Sequence, residues 1–138
     1  MNDPPLLSLT VNGAEEEVVV EPRRTLADVL RHEEVEQPVP GAGEVRVRVA
    51  ATTFNLVDDG IRGGWLQGPF PVTLPHIPGI DVAGTVDAVG EGVEGFAVGD
   101  AVVGFLPMVP DGAAAEYAIA PAAILTAAPT SIPLVDAA

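Results

Sequence analysis

Between Pro75 and Gly104 the chain reads PHIPGIDVAGTVDAVGEGVEGFAVGDAVVG, and this stretch limits the fold more than any other. Glycine and proline recur every few residues, which favours turns and short strands over long helices. Residues 81–89 (DVAGTVDAV) predict one strand, with Gly84 permitting a bend or a close backbone approach. Residues 90–99 (GEGVEGFAVG) predict a looped hairpin, and residues 100–105 (DAVVGF) its return. Pro75 and Pro78 hold the entering loop extended, and Gly79 and Gly84 bracket Asp81 where a Cβ would obstruct the crossing of chains. Gly99-Asp100 suits a turn between strands.

The flanking sequence repeats the pattern. Residues 44–51 (EVRVRVAA) alternate strictly, placing Val45, Val47 and Val49 inward with Arg46 and Arg48 outward. Residues 114–120 (AAEYAIA) predict a further strand, and Ile124–Ala127 a short last one. Many short strands between Gly and Pro turns predict a mainly β fold, a small barrel or sandwich. Ahead of it, residues 1–33 read as a separate unit. Leu7, Leu9 and Val11 alternate with polar residues, Asn12-Gly13 supplies a tight hairpin turn, and residues 17–21 return. Thr25 then caps a short helix with Asp28 at N3, and Leu26, Val29 and Leu30 form its apolar stripe. Residues 34–43 (EVEQPVPGAG) are a short connector that lies against the barrel.

Composition removes whole classes of function. The 138 residues carry 20 acids against 6 basic residues, a formal charge of −14. Such a surface repels phosphate backbones and anionic membranes, so neither nucleic acid nor membrane is an expected partner. The chain has no cysteine. That excludes disulfides, thiolate catalysis, iron–sulfur clusters and cysteine-ligated zinc. The N-terminus MNDPPLLSL lacks the basic and apolar regions of a signal peptide, and prolines and Glu116 break the best apolar runs. A soluble, cytoplasmic protein is expected.

From about Pro38 to Ala138 the chain resembles the N-terminal, GroES-like substrate domain of medium-chain dehydrogenases/reductases, zinc-free quinone oxidoreductases above all. Four landmarks in order carry the resemblance: PVPGAGEVRVRVAAT, FNLVDDGIRGG, PHIPGIDVAGTVDAVGEGVEGFAVGDAVVGF and AAAEYAIAPAAILTAAPTSIP. It implies a GroES-like, partly open small barrel over residues 34–138, with the hairpin and short helix of residues 1–33 added to it. The opening LTVNGAEEEVVVEPRRTLADVLRHE is similar to the start of the β-grasp iron–sulfur domain of molybdenum hydroxylases, without any cluster ligand.

The departures from that family matter as much. Zinc-dependent relatives carry Cys-x-x-Asp and Gly-His-Glu segments where this chain has Asn55-Leu56-Val57-Asp58 and Gly79-Ile80-Asp81. Asparagine and isoleucine do not replace thiolate and imidazole, so no metal is expected. In zinc-free relatives the Asn-x-x-Asp pair lines the cleft for substrate and nicotinamide, which makes Asn55 and Asp58 the positions to carry over. Some relatives add a tyrosine two residues after that aspartate, where this chain has Gly60. In the family a Rossmann domain with a glycine-rich phosphate loop follows directly, whereas this sequence ends at SIPLVDAA, so a truncated substrate domain without a Rossmann domain is expected. Gly90-Glu91-Gly92-Val93-Glu94-Gly95 spells a dinucleotide fingerprint, yet its glutamates would face a pyrophosphate and a strand, not a helix, follows. No cofactor site is expected on this chain, and NADPH enters only with a cofactor domain in trans.

The candidate site residues are thus Asp58, Asp81 and Asn55 for catalysis, with Phe54, Trp65, Phe70 and His76 against the substrate. Two acids in a partly apolar pocket could share a proton and serve dehydration, isomerisation or cyclisation. Their alternative role is structural, each tying down its own turn. Asn55 could orient a carbonyl. His76 reads either as a cleft residue or as an exposed turn histidine, and Tyr117 as packed core. Two function classes follow: an oxidoreductase substrate domain for a small apolar carbonyl or enone, or a standalone, cofactor-free binding protein or acid–base catalyst. An apolar flank without a companion domain predicts a homodimer.

Overall fold

The computed structural model describes residues 6–11, 14–19, 33–73 and 75–138. The chain divides into two units between Glu36 and Gln37. In the first, β1 (Leu6–Val11) pairs antiparallel with β2 (Ala14–Val19), Leu6 facing Val19 and Val11 facing Ala14. The returning strand therefore starts three residues before the predicted one, because Glu15–Glu17 pair with β1 and do not extend a loop. The predicted Asn12-Gly13 turn and the helix after Thr25 lie outside the described residues.

The second unit is built on five antiparallel strands: β3 (Glu44–Ala51), β4 (Asp81–Val89), β5 (Ala101–Phe105), β6 (Tyr117–Pro121) and β7 (Leu125–Ala127). Their order across the sheet is β6-β3-β4-β5-β7. The two edge strands are neighbours in sequence, joined only by the short 3-10 helix Ala122–Ile124. In a flat sheet four strand spacings would separate them by about 19 Å. The chain from Pro121 to Leu125 reaches at most about 14 Å. The sheet must curl, and the curl gives the partly open barrel that the sequence predicts.

Alternation decides which side faces in. Val45 and Val47 of β3, Val82 and Val86 of β4, Val102 of β5 and Ala118 and Ala120 of β6 meet in one core with Leu106, Ala113 and Leu125. The register between β3 and β4 slips between Arg46 and Val47 and again between Val49 and Ala51. Such irregularities bend and twist a strand pair, which suits a closing sheet. On the outer face Arg46 bonds Asp87, stacks 5.4 Å from the Tyr117 ring centre and donates to the Pro38 carbonyl. Gly43 donates to Glu91. The connector from Pro38 onward therefore does lie against the sheet.

Two elements differ from the sequence reading. A helix, α1 (Leu56–Arg62), stands where none is predicted, its first turn acidic (Asp58, Asp59) and its last basic (Arg62). The predicted strand at residues 114–120 begins only at Tyr117. The amides of Gly112, Ala113 and Ala114 are spent instead on the carbonyls of Ile77, Gly79 and Pro78. Gly90–Gly95 lies in the connection between β4 and β5 and opens no helix.

Candidate functional site

Three loops at one end of the sheet meet around α1: residues 52–55 after β3, residues 76–80 before β4 and residues 111–114 after β5. Asp58 joins two of them. The residue is 2% exposed. Oδ1 accepts the Gly79 amide at 2.9 Å, and Oδ2 accepts the Asn55 amide at 2.8 Å. The second bond is the reciprocal arm of a capping box, in which the N3 acid reaches back to the N-cap backbone. Gly79 has φ +97°, and a Cβ there would lie 2.7 Å from Thr52 Oγ1 and 3.0 Å from the Ala114 amide. Glycine is required where this carboxylate and three strands of backbone converge.

Asp81 holds the outer rim. Its Oδ2 accepts the Thr53 hydroxyl at 2.5 Å and Asn55 Nδ2 at 2.7 Å, while its main-chain oxygen accepts Thr52 Oγ1 at 2.7 Å. The structure thus brings Asn55, Asp58 and Asp81 together, with Asn55 between the acids: its backbone amide goes to one and its side-chain amide to the other. Asp58 acts through backbone amides, as the structural reading has it. Asp81 is held through side chains, with Asn55 and Thr53 on one oxygen. No hydrogen bond joins the two carboxyl groups.

The apolar candidates separate. Phe54 (49% exposed) and Leu56 (91%) flank Asn55 in the chain as open apolar side chains, whereas Trp65 (77%) stands at the other end of α1, with its ring against Gly63. Phe70 instead lines a groove of about 370 Å³ with Phe105, Leu106, Met108 and Ile124. His76 is no exposed turn residue: its side chain is 9% exposed, with Nδ1 3.5 Å from Asp111 Oδ1. Asp111 also accepts the Ile77 amide at 2.9 Å. Sequence reasoning passes over Thr52, Thr53 and Asp111. The signal for the threonines is a pair of hydroxyls between a strand end and the N-cap, where local acceptors are in reach.

A metal or a dinucleotide can be tested against these residues. Ile80 is 5% exposed, an apolar core residue, and Asn55 turns its amide nitrogen, a donor, toward Asp81. Neither offers a lone pair suited to zinc. The glycines of the β4–β5 connection open no helix and carry Glu91 and Glu94, so they do not form a pyrophosphate cradle. Among the described residues no helix is long and apolar enough to cross a membrane.

The described residues thus build a curled five-stranded antiparallel sheet with a short helix at one end. The alcohol dehydrogenase GroES-like domain matches residues 41–130, and the chain belongs to that family. It is similar to the chloroplastic quinone-oxidoreductase homolog of Spinacia oleracea, 39% identical over 111 residues, which are 80% of this chain and 34% of the relative. A quinone oxidoreductase of Lama guanicoe is 42% identical over 88 residues, 63% of this chain and 25% of its own. Among solved structures, an alcohol dehydrogenase superfamily protein from Novosphingobium aromaticivorans superposes with a TM-score of 0.69 at 36% identity, over 74% of this chain and 31% of that one. Escherichia coli quinone oxidoreductase complexed with NADPH gives 0.67 at 30% identity, over 76% and 31%. The chain spans about a third of the spinach relative's length.

Proposed function

We propose that this domain forms the substrate side of a zinc-free reductase acting on a small apolar carbonyl, a quinone or enone. The hydride donor, NADPH, is held by a nucleotide-binding domain supplied in trans or elsewhere in a longer polypeptide. One observation carries the reading: Asn55 is exposed between the exposed side chains of Phe54 and Leu56, yet its amide is anchored on Asp81. Nδ2 has two hydrogens, and Asp81 takes one. The other is available to a carbonyl oxygen, and Phe54 and Leu56 offer apolar contact to the rest of the molecule. Asp58, with both oxygens on backbone amides, fixes the geometry and does not touch substrate. Charge supports an uncharged substrate, since a protein of −14 disfavours anions.

The test uses 2-methyl-1,4-naphthoquinone as probe, and the chain has neither the cysteine nor the lysine that would add to it. The isolated chain is expected to bind the quinone, and not NADPH, by NMR titration. Quinone-dependent NADPH oxidation is expected only after a quinone oxidoreductase nucleotide domain is added. Asn55→Ala is expected to weaken quinone binding about tenfold, the worth of one well-placed hydrogen bond. Turnover of an enone by the chain alone, without nicotinamide, would overturn this reading in favour of the acid–base alternative.

A further inference from the structure

We propose that Thr53 is a positioning residue for Asn55, acting through Asp81, so that the site presents a fixed donor and selects a hydrogen-bond acceptor. The inference rests on the role given to Asn55 above. Three observations carry it. Thr53 and Asn55 donate to the same oxygen of Asp81, at 2.5 and 2.7 Å. Asp81 opens β4, and its main-chain oxygen is tied to Thr52, so the carboxyl group is anchored from both sides. Asn55 is exposed, so no packing holds its amide.

The capping box turns the Asn55 side-chain oxygen toward the Asp58 backbone amide, which leaves the nitrogen as the end that meets Asp81. A carboxylate oxygen that accepts two hydrogen bonds then fixes where that nitrogen sits. The nitrogen must face Asp81, and the second N–H then has a set direction. Thr53 contributes because Asp81 Oδ2 would otherwise be held by Asn55 alone, and the two side chains would rotate together. Its single hydroxyl hydrogen goes to Asp81, which leaves it no hydrogen to donate to a ligand. It touches neither substrate nor the reacting atoms. What it adds is orientation, the component of binding that depends on a donor being in place before the ligand arrives.

Thr53→Val removes the hydroxyl with little change of shape, and Thr53→Ser keeps it. The chain has three asparagines and two glutamines, so the Asn55 side-chain signals in a ¹⁵N spectrum can be assigned by their loss in Asn55→Ala. Thr53→Val is expected to shift that pair of signals and speed its exchange with water, and to weaken 2-methyl-1,4-naphthoquinone binding about fivefold. Thr53→Ser is expected to restore both. Asp81→Ala is expected to move the Asn55 signals as Thr53→Val does. Unchanged Asn55 signals in Thr53→Val, with the backbone spectrum intact, would overturn the proposal. Wild-type protein that binds no quinone would overturn the function proposed above instead, because the amide signals report on the Thr53 contact without any ligand.

Discussion

Asp58→Ala is expected to lower the unfolding free energy by about 3 kcal/mol, read as a fall in the urea midpoint at unchanged slope. Asp58 is 2% exposed, and each of its carboxyl oxygens accepts one backbone amide, from Gly79 and from Asn55. Alanine leaves the buried Gly79 amide without that partner, which costs about 1–3 kcal/mol, and the part-buried Asn55 amide loses its bond as well. It also removes an acidic side chain from the first turn of α1, worth a few tenths more. Asp58→Asn keeps the shape but turns an NH2 toward one of those amides, so it is expected to lose most of the same stability. If both variants melt like the wild type while catalysis is lost, the side chain is chemical and not structural, and the acid–base reading of the sequence returns.

That carboxylate shows how the site is written in the sequence. Asn55-x-x-Asp58 was legible as a pair by its resemblance to the cleft residues of a family. The same spacing is also an N-cap and an N3 acid, and so the start of a helix. The helix itself was not legible, since Asp58-Asp59-Gly60 is poor in helix propensity. It forms because tertiary contacts hold it: Asp58 to Gly79, and Ile61 buried at 7% exposure. The link from Asp81 to Thr53 and Asn55 spans more than 25 residues and depends on how β3 and β4 come together. Local pattern carries no such information.

The strands follow the opposite rule. β3 and β4 begin and end at the predicted residues because valine alternation and the breakers around it act locally. β6 starts late because the amides of residues 112–114 bond the loop before β4, a long-range contact. The aromatic residues were the least legible. An apolar side chain near a cleft reads as a pocket residue, but on a partly open sheet only the fold decides its side. Phe70 lines a groove, whereas Phe54 and Trp65 stand largely in the open.

Gly84→Ala is expected to cost about 3 kcal/mol, near the top of what overpacking a core costs. Gly84 lies opposite Val49 in the β3–β4 pair, beside one of its two register shifts. A Cβ there would run into the Arg48 carbonyl and the Val47 side chain. The side chain can give way, but the carbonyl belongs to β3, which is paired with β6 on one side and β4 on the other, and cannot move without the ladder on both sides. Val47→Ala in the Gly84→Ala background is therefore expected to recover none of the lost stability, since it opens a cavity and leaves the carbonyl in place. Gly68→Ala is the control: nothing lies within 4 Å of its added Cβ, so it should be neutral or stabilise by a few tenths of a kcal/mol. Urea melts of the three variants, with hydrogen exchange at the Arg48 and Val49 amides, read the difference. A Gly84→Ala protein as stable as the wild type would mean that β3 and β4 do not approach this closely, and the curl that brings Asp81 to Asn55 would need another cause.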